Sequence, residues 1–214
     1  MTTPLVVVGA GGFGRETLDV VSAVNGERPT PDFDLLGVVD SHPSPANLAL
    51  LEQMGVPWLG TVEEWLAKGP TANYVIGIGN PVVRHRVCAM FAAEGLQAAT
   101  LIHPTAVIGS LSVIGAGSVV CAGAQISTNV VLGDHVHINP SVTIGHDSRI
   151  LDFASINPGA VVSGDVFVGS RVLVGAGAVV LQGLRVGDGA VIGASACVVK
   201  DVESNRTVKG VPAR

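Results

Sequence analysis

The chain has 214 residues, 48% of them hydrophobic, and its net charge at neutral pH is −5. This length suits one large or two small domains. With no cluster of Lys and Arg to neutralise phosphates, we expect no nucleic-acid partner. No run of 18 apolar residues is present, so we expect no transmembrane helix. The first residues lack the basic segment of a secretory signal, which favours a cytoplasmic protein without a membrane partner.

Glycine and small aliphatic residues dominate the composition. The chain contains 28 glycines, and only 4% of its residues are aromatic. Six of the eight aromatic residues precede residue 100, which indicates two domains, residues 1–100 and 101–214. The three cysteines, Cys88, Cys121 and Cys197, are widely spaced in apolar runs. This spacing predicts buried thiols and excludes a C-x-x-C metal site.

The first hundred residues alternate strand and helix signals. Short apolar runs predict strands at Leu5–Val8, Leu35–Val39 and Tyr74–Ile78. Capping signals and periodicity predict helices that run to about Val24, over Pro45–Met54, after a capping box at Thr61, and from Pro81 to Gly95 with Asn80 as its cap. This order predicts a small parallel sheet in a Rossmann-like domain.

A glycine motif, Gly9-x-Gly11-x-x-Gly14, follows the first predicted strand, and Asp40 closes the second. Such a turn lets the N-terminus of a helix approach a phosphate. Taken alone, it favours a dinucleotide and an NAD-dependent oxidoreductase. Only half of a dinucleotide-binding domain precedes residue 101, however, so a nucleotide sugar suits the domain better. A turn that merely joins strand to helix is the alternative.

The second half of the chain is a repeat of six residues, called a hexad here. Every sixth residue from Ile102 to Val198 is Ile, Val or Leu, without insertion. The fourth residue after each of these is Ala, Ser or Val, with Leu184 as the exception. An α-helix would rotate such a stripe away from its core. The period is typical of a parallel β-helix, in which short strands meet at tight turns.

The hexads and the N-terminal βαβ unit together resemble the left-handed β-helix sugar acetyltransferases, the group that includes UDP-4-amino-sugar N-acetyltransferases and sialic acid O-acetyltransferases. The resemblance implies left-handed coils of three hexads, between five and six of them in this chain. It implies acetyl-CoA as co-substrate, no metal, and a homotrimer with active sites between subunits. The acceptor would be an amino group of a nucleotide-linked sugar, or alternatively a sugar hydroxyl.

His146 is the predicted catalytic base, and Asp147 follows it directly. Neutral imidazole has a suitable pKa to take the proton from an amine that attacks a thioester. A carboxylate on the other ring nitrogen fixes the tautomer, as in serine proteases. The resembled family places a base and its helper at this point. An exposed histidine without a role is the alternative.

The resemblance also implies which residues bind the two substrates. The nucleotide sugar would contact Gly11, Gly12, Phe13, Asp40 and Gly79. Acetyl-CoA would contact Ser155, Gly164, Ala176 and Ala194, with the Gly164 amide directed at the acetyl carbonyl. Phe13 and Ser155 stand where the relatives carry histidine, which leaves the identity of the nucleotide and the recognition of the thioester open.

His135 and His137 form a second cluster, which precedes His146. Three histidines on a β-helix also resemble the γ-class carbonic anhydrases, which hold zinc between subunits, but the spacing here differs. We interpret His135 and His137 as polar surface residues or residues near the substrate. A nucleotide-binding or scaffold solenoid without catalysis is the non-enzymatic alternative.

Overall fold

The computed structural model describes residues 2–214, and the chain divides into two compact units after Leu101. The first unit contains a three-stranded parallel sheet and four helices. The strands are β1 (Thr3–Val8), β2 (Phe33–Val39) and β3 (Asn73–Ile76), in the order β2-β1-β3. Residues 5–8 of the central strand are buried, as the apolar run predicts.

The helices of the first unit are α1 (Gly12–Gly26), α2 (Pro45–Gln53), α3 (Val62–Leu66) and α4 (Pro81–Ala93). The predicted elements are confirmed, with ends that differ by one or two residues. Thr61 forms the predicted capping box with Glu64, and the Asn80 side chain accepts the N–H groups of Val82 and Val83. No helix in residues 2–214 is long and apolar enough to cross a membrane.

The second unit is a solenoid of two-residue strands on three parallel sheets. The first face holds β4 (Leu101–Ile102), β7 (Val119–Val120), β10 (His137–Ile138), β13 (Ser155–Ile156), β16 (Leu173–Val174), β19 (Val191–Ile192) and β21 (Thr207–Val208). The second face holds β5 (Val107–Ile108), β8 (Gln125–Ile126), β11 (Thr143–Ile144), β14 (Val161–Val162), β17 (Val179–Val180) and β20 (Cys197–Val198). The third face holds β6 (Val113–Ile114), β9 (Val131–Leu132), β12 (Arg149–Ile150), β15 (Phe167–Val168) and β18 (Arg185–Val186).

Strands pair across one coil of 18 residues, so three hexads make a coil as expected. His137 pairs with Ser155, and the same offset recurs along all three faces. The final coil is two residues shorter, since Val186 pairs with Val202. The hexad count stopped at Val198 and did not predict this shortening.

The core of the solenoid consists of the two inward residues of each hexad. Anchors such as Ile144 are fully buried, and Leu184, the exception to the small-residue rule, packs partly buried against the same core. Ser118 occupies a small-residue position. Its hydroxyl donates to the Gly133 carbonyl and accepts the Val136 N–H, so the buried polar group is satisfied.

The three cysteines correct one expectation from the sequence. None forms a disulfide, but only Cys121 is buried, whereas Cys88 and Cys197 are partly exposed. Cys197 lies at the outward position of β20, because its neighbour Val198 is the inward anchor. An apolar run in a two-residue strand therefore does not bury both of its members.

Candidate functional site

His146 and Asp147 lie in a turn that joins the second face of the solenoid to the third. The equivalent turns stack above one another at residues 109–112, 127–130, 145–148, 163–166 and 181–184, and this stack is called the His146 edge. Asp147 occupies the left-handed position of its turn, with a φ of 62°. The turn directs both side chains outward, and 62% of the His146 side chain is exposed.

The His146 ring is held by a short contact with Asp147. The Nδ1 atom lies 2.7 Å from Asp147 Oδ2. Asp147 Oδ1 in turn accepts a 2.6 Å hydrogen bond from the side-chain amide of Asn129, one coil earlier. The hydrogen bonds from Asn129 and His146 hold the pKa of Asp147 below its ordinary value. The arrangement orients Nδ1 towards a carboxylate and leaves Nε2 for a reacting group.

Asn129 is a residue that the sequence analysis missed. It precedes Asp147 by 18 residues, which is the coil length that pairs the strands. Counting back one coil from Asp147 would therefore have found it. Gly164 lies one coil after His146, beside the imidazole ring. The structure thus brings His146, Asp147 and Gly164 together on one edge.

The other residues predicted to bind the coenzyme lie elsewhere on the solenoid. Ala176 and Ala194 stack on the edge between the first and second faces, where the Ser195 N–H donates to the Ala176 carbonyl. Ser155 lies in β13 on the first face and is only 1% exposed. Within one chain, the four residues therefore do not form a single groove.

The interpretation of His135 and His137 as surface residues is wrong. They are only 5% and 1% exposed. The His135 ring stacks on Phe153, its neighbour one coil later, with ring centroids 5.1 Å apart and planes 8° apart. His137 lies on the first face between Val119 and Ser155, which are also buried. Among residues 2–214, no three His, Cys, Asp or Glu side chains are grouped as a metal site.

In the first unit, the residues predicted to bind the nucleotide sugar all lie at the carboxyl end of the parallel sheet. Gly11, Gly12 and Phe13 follow β1, Asp40 follows β2, and Gly79 follows β3. Gly11 caps α1 through extended backbone, without a side-chain hydrogen bond. The N-cap residue therefore gives no side-chain hydrogen bond to the first turn of α1. Strand order and turn chemistry together place all five residues at one edge.

Asp40 ties the loops of this edge together. Its Oδ2 accepts the Ala10 N–H at 2.7 Å and its Oδ1 accepts the His42 N–H at 2.8 Å. The carboxylate thus holds the glycine turn in place, while each oxygen retains a further lone pair for a ligand hydroxyl. Arg15 supports the same turn from the helix, since its Nη1 donates to the Ala10 carbonyl at 2.9 Å.

Arg84 supports the loop after β3, and the sequence analysis missed this residue too. The side chain is fully buried, and burial lowers its pKa to about 9. Its Nη1 donates to the carbonyls of Ile78 and Gly79, at 2.7 and 3.2 Å. A buried guanidinium thus fixes the backbone that carries Gly79.

Known proteins are similar to this chain in both of its units. The family described as the PglD N-terminal domain matches residues 4–91. GDP-perosamine N-acetyltransferase from Escherichia coli O157:H7 is 32% identical over 151 residues, which cover 70% of this chain and 65% of that protein. The chain therefore spans less than two thirds of that relative.

Solved structures match the chain over its whole length. The acetyltransferase domain of PglB from Neisseria gonorrhoeae FA1090 is 30% identical, with a TM-score of 0.84 and coverage of 100% of this chain and 99% of that one. PerB from Caulobacter crescentus, solved in complex with CoA and GDP-perosamine, is 26% identical, with a TM-score of 0.88 and coverage of 100% and 97%. The chain belongs to the left-handed β-helix acetyltransferases that carry a PglD-type N-terminal domain.

Proposed function

We propose that the chain transfers the acetyl group of acetyl-CoA to an amino group of a nucleotide-linked amino sugar, with His146 as the general base. The contact of 2.7 Å between His146 Nδ1 and Asp147 carries this proposal. It leaves Nε2 as the nitrogen that accepts a proton, on a ring that is exposed to an incoming substrate. The hydrogen bond from Asn129 orients Asp147 and lowers its pKa, which favours the carboxylate form.

The reaction is a direct transfer between the two bound substrates. The neutral amine attacks the thioester carbonyl carbon, and His146 Nε2 takes the proton that the nitrogen loses. Asp147 stabilises the imidazolium through Nδ1. The carbon–sulfur bond then breaks, and the proton passes to the departing sulfur, so the products are the acetamido sugar and free CoA. The backbone N–H of Gly164, beside the ring, is our candidate to stabilise the oxyanion.

The two units divide the substrates in this proposal. The N-terminus of α1, whose N-cap Gly11 gives no side-chain hydrogen bond, offers a positive dipole end to the phosphates of the nucleotide sugar. Phe13, Asp40 and Gly79 follow the three parallel strands at the same edge of the sheet. Acetyl-CoA is assigned to the solenoid.

The separation of the coenzyme residues supports an active site shared between subunits. Gly164 lies on the His146 edge, whereas Ala176 and Ala194 lie on another edge of the same solenoid. A groove between two neighbouring solenoids brings unlike edges together. We therefore propose a homotrimer in which His146 of one copy faces the Ala176 edge of the next.

Transfer to nitrogen is favoured over transfer to oxygen by the relatives, because the Escherichia coli and Caulobacter crescentus proteins are described as N-acetyltransferases of perosamine. The same relatives act with a GDP-linked sugar, so both GDP and UDP belong in the test. The decisive experiment incubates purified full-length chain and acetyl-CoA with GDP- and UDP-linked 4-amino sugars, and measures the release of free thiol. Acetylated product with His146-dependent turnover supports the proposal. Turnover of free sugar hydroxyls alone contradicts it.

A further inference from the structure

Gly164 is a glycine at a hexad position that otherwise carries a side chain, and the hexad repeat alone does not explain this exception. One position in each hexad corresponds to Gly164, and all the others from residue 104 onward carry a side chain: Pro104, Ser110, Ala116, Ala122, Thr128, Asp134, Pro140, His146, Asp152, Pro158, Ser170, Ala176, Gln182, Asp188, Ala194 and Lys200. The single glycine of this series stands one coil after His146. The repeat therefore tolerates a side chain at this position everywhere except directly beyond the predicted base.

The backbone does not require glycine at position 164. Its φ is not positive, and the left-handed residue of this turn is Asp165, with a φ of 56°. Three equivalent positions hold proline, namely Pro104, Pro140 and Pro158, whose rings fix φ in the ordinary negative range. The usual reason for an obligatory glycine is therefore absent here.

The atoms around Gly164 explain why this position holds glycine. A Cβ atom at this position would lie 2.7 Å from His146 Nε2, 2.8 Å from Cε1 and 3.1 Å from Cδ2. The three nearest atoms thus all belong to one imidazole ring. Real Cβ atoms do not approach so closely, so a methyl group at 164 would force the ring to move. The ring belongs to a largely exposed side chain and can swing away without disturbing the coil.

We propose that Gly164 is a positioning residue whose missing side chain allows the His146 ring to lie flat over the following coil, with Nε2 held at the reaction site. This role rests on the proposed function of His146 as base, and it is separate from any hydrogen bond that the Gly164 N–H makes. An alanine at 164 keeps that N–H but removes the space that the ring occupies. Asp147 fixes the ring through Nδ1, and Gly164 fixes where Nε2 comes to rest.

The kinetic test is Gly164→Ala in two backgrounds. In the native chain we expect kcat to fall about ten- to a hundredfold, because a displacement of about 1 Å at a reacting group has an effect of this size. The KM for acetyl-CoA and the melting temperature should stay unchanged. In the His146→Ala background the same substitution should cause no further loss, since the ring is gone. Gly26→Ala, at a glycine with no neighbouring atom within 4 Å, is the matched control and should leave kcat unchanged.

Three outcomes of this test contradict the proposal. One is an unchanged kcat in Gly164→Ala, which shows that the position of the ring does not matter. Another is an equal fold loss in both backgrounds, which shows that the methyl group acts on the substrate rather than on the ring. The third is a loss of thermal stability that accounts for the lower activity.

A spectroscopic test needs no turnover. Histidine labelled with ¹³C at Cε1 gives six side-chain signals from the six histidines, and His146→Ala assigns the one of interest. We expect Gly164→Ala to shift the His146 signal and to leave the other five in place. An unmoved His146 signal overturns the proposal. If the signal moves but the native chain acetylates no amino sugar, the proposed function fails while the packing of the ring on Gly164 is upheld.

Discussion

Gly12→Val is the substitution that best separates binding of the nucleotide from folding of the first unit. Gly12 is exposed, begins α1, and has no atom within 4 Å of the place where a Cβ would stand. Its φ is not positive, so a side chain causes no backbone strain. Valine also forms helix slightly better than glycine does. We therefore expect the free energy of unfolding to change by no more than about 0.5 kcal/mol.

The effect on the sugar substrate should be much larger. The valine side chain would fill the space through which a phosphate reaches the N–H groups of the first helical turn. Loss of one hydrogen bond to a charged group costs about 1.5–3 kcal/mol. Since 1.4 kcal/mol corresponds to a factor of ten, the KM for the nucleotide sugar should rise about ten- to a hundredfold. The KM for acetyl-CoA should stay as it is.

Two further glycines of the same helix serve as controls. Gly26→Val adds the same side chain at the far end of α1, again with no atom within 4 Å, and should change neither KM. Gly14→Ala should unfold the first unit, because its Cβ would overlap the Gly9 carbonyl oxygen. Steady-state kinetics with both substrates and thermal unfolding measure these effects. An unchanged sugar KM in Gly12→Val would refute the nucleotide site, and loss of acetyl-CoA binding would show that the turn serves the coenzyme.

The remaining predictions concern the solenoid. His146→Ala should lower kcat at least about a hundredfold with an unchanged circular dichroism spectrum, because it removes an exposed base. Asp147→Asn should lower kcat less, since it removes only the orienting partner. A loss equal to that of His146→Ala would show that Asp147 does more than orient the ring. Asn129→Ala removes the main hydrogen bond that lowers the pKa of Asp147. That pKa should therefore rise, so Asp147 protonates at a higher pH in a carboxyl NMR titration, and an unshifted titration would refute the contact. Multi-angle light scattering should give the mass of a trimer, and an active monomer at assay concentration would exclude a shared site.

The solenoid could be predicted because each hexad repeats the same local arrangement of residues. An inward aliphatic residue, a small inward residue and a tight turn recur from Ile102 to Val198, and the strands pair where the count places them. The shortened last coil was not predictable in this way. Val202 takes the inward place that Ser204 would have held in an unbroken count, and only pairing with Val186 reveals the change.

Part of the candidate site could be predicted from the sequence. The adjacency of His146 and Asp147 is local, and in the structure the two side chains are in contact. Asn129 and Gly164 are distant in sequence from His146, and their relevance appears only when the coil length is applied to that residue. The burial of His137 and Arg84 had no sequence signal, because it depends on packing beyond the hexad or the helix that carries each residue.

The fixed coil length limits how such a chain can change during evolution. Removing or adding 18 residues between coils would leave every remaining turn on its own edge. Removing six would rotate all later turns by one edge, so that Gly164 would no longer follow His146 along the stack. Insertions and deletions in this solenoid are therefore expected in steps of a whole coil. The two-residue shortening near the C-terminus escapes this limit because few coils lie beyond it to be rotated.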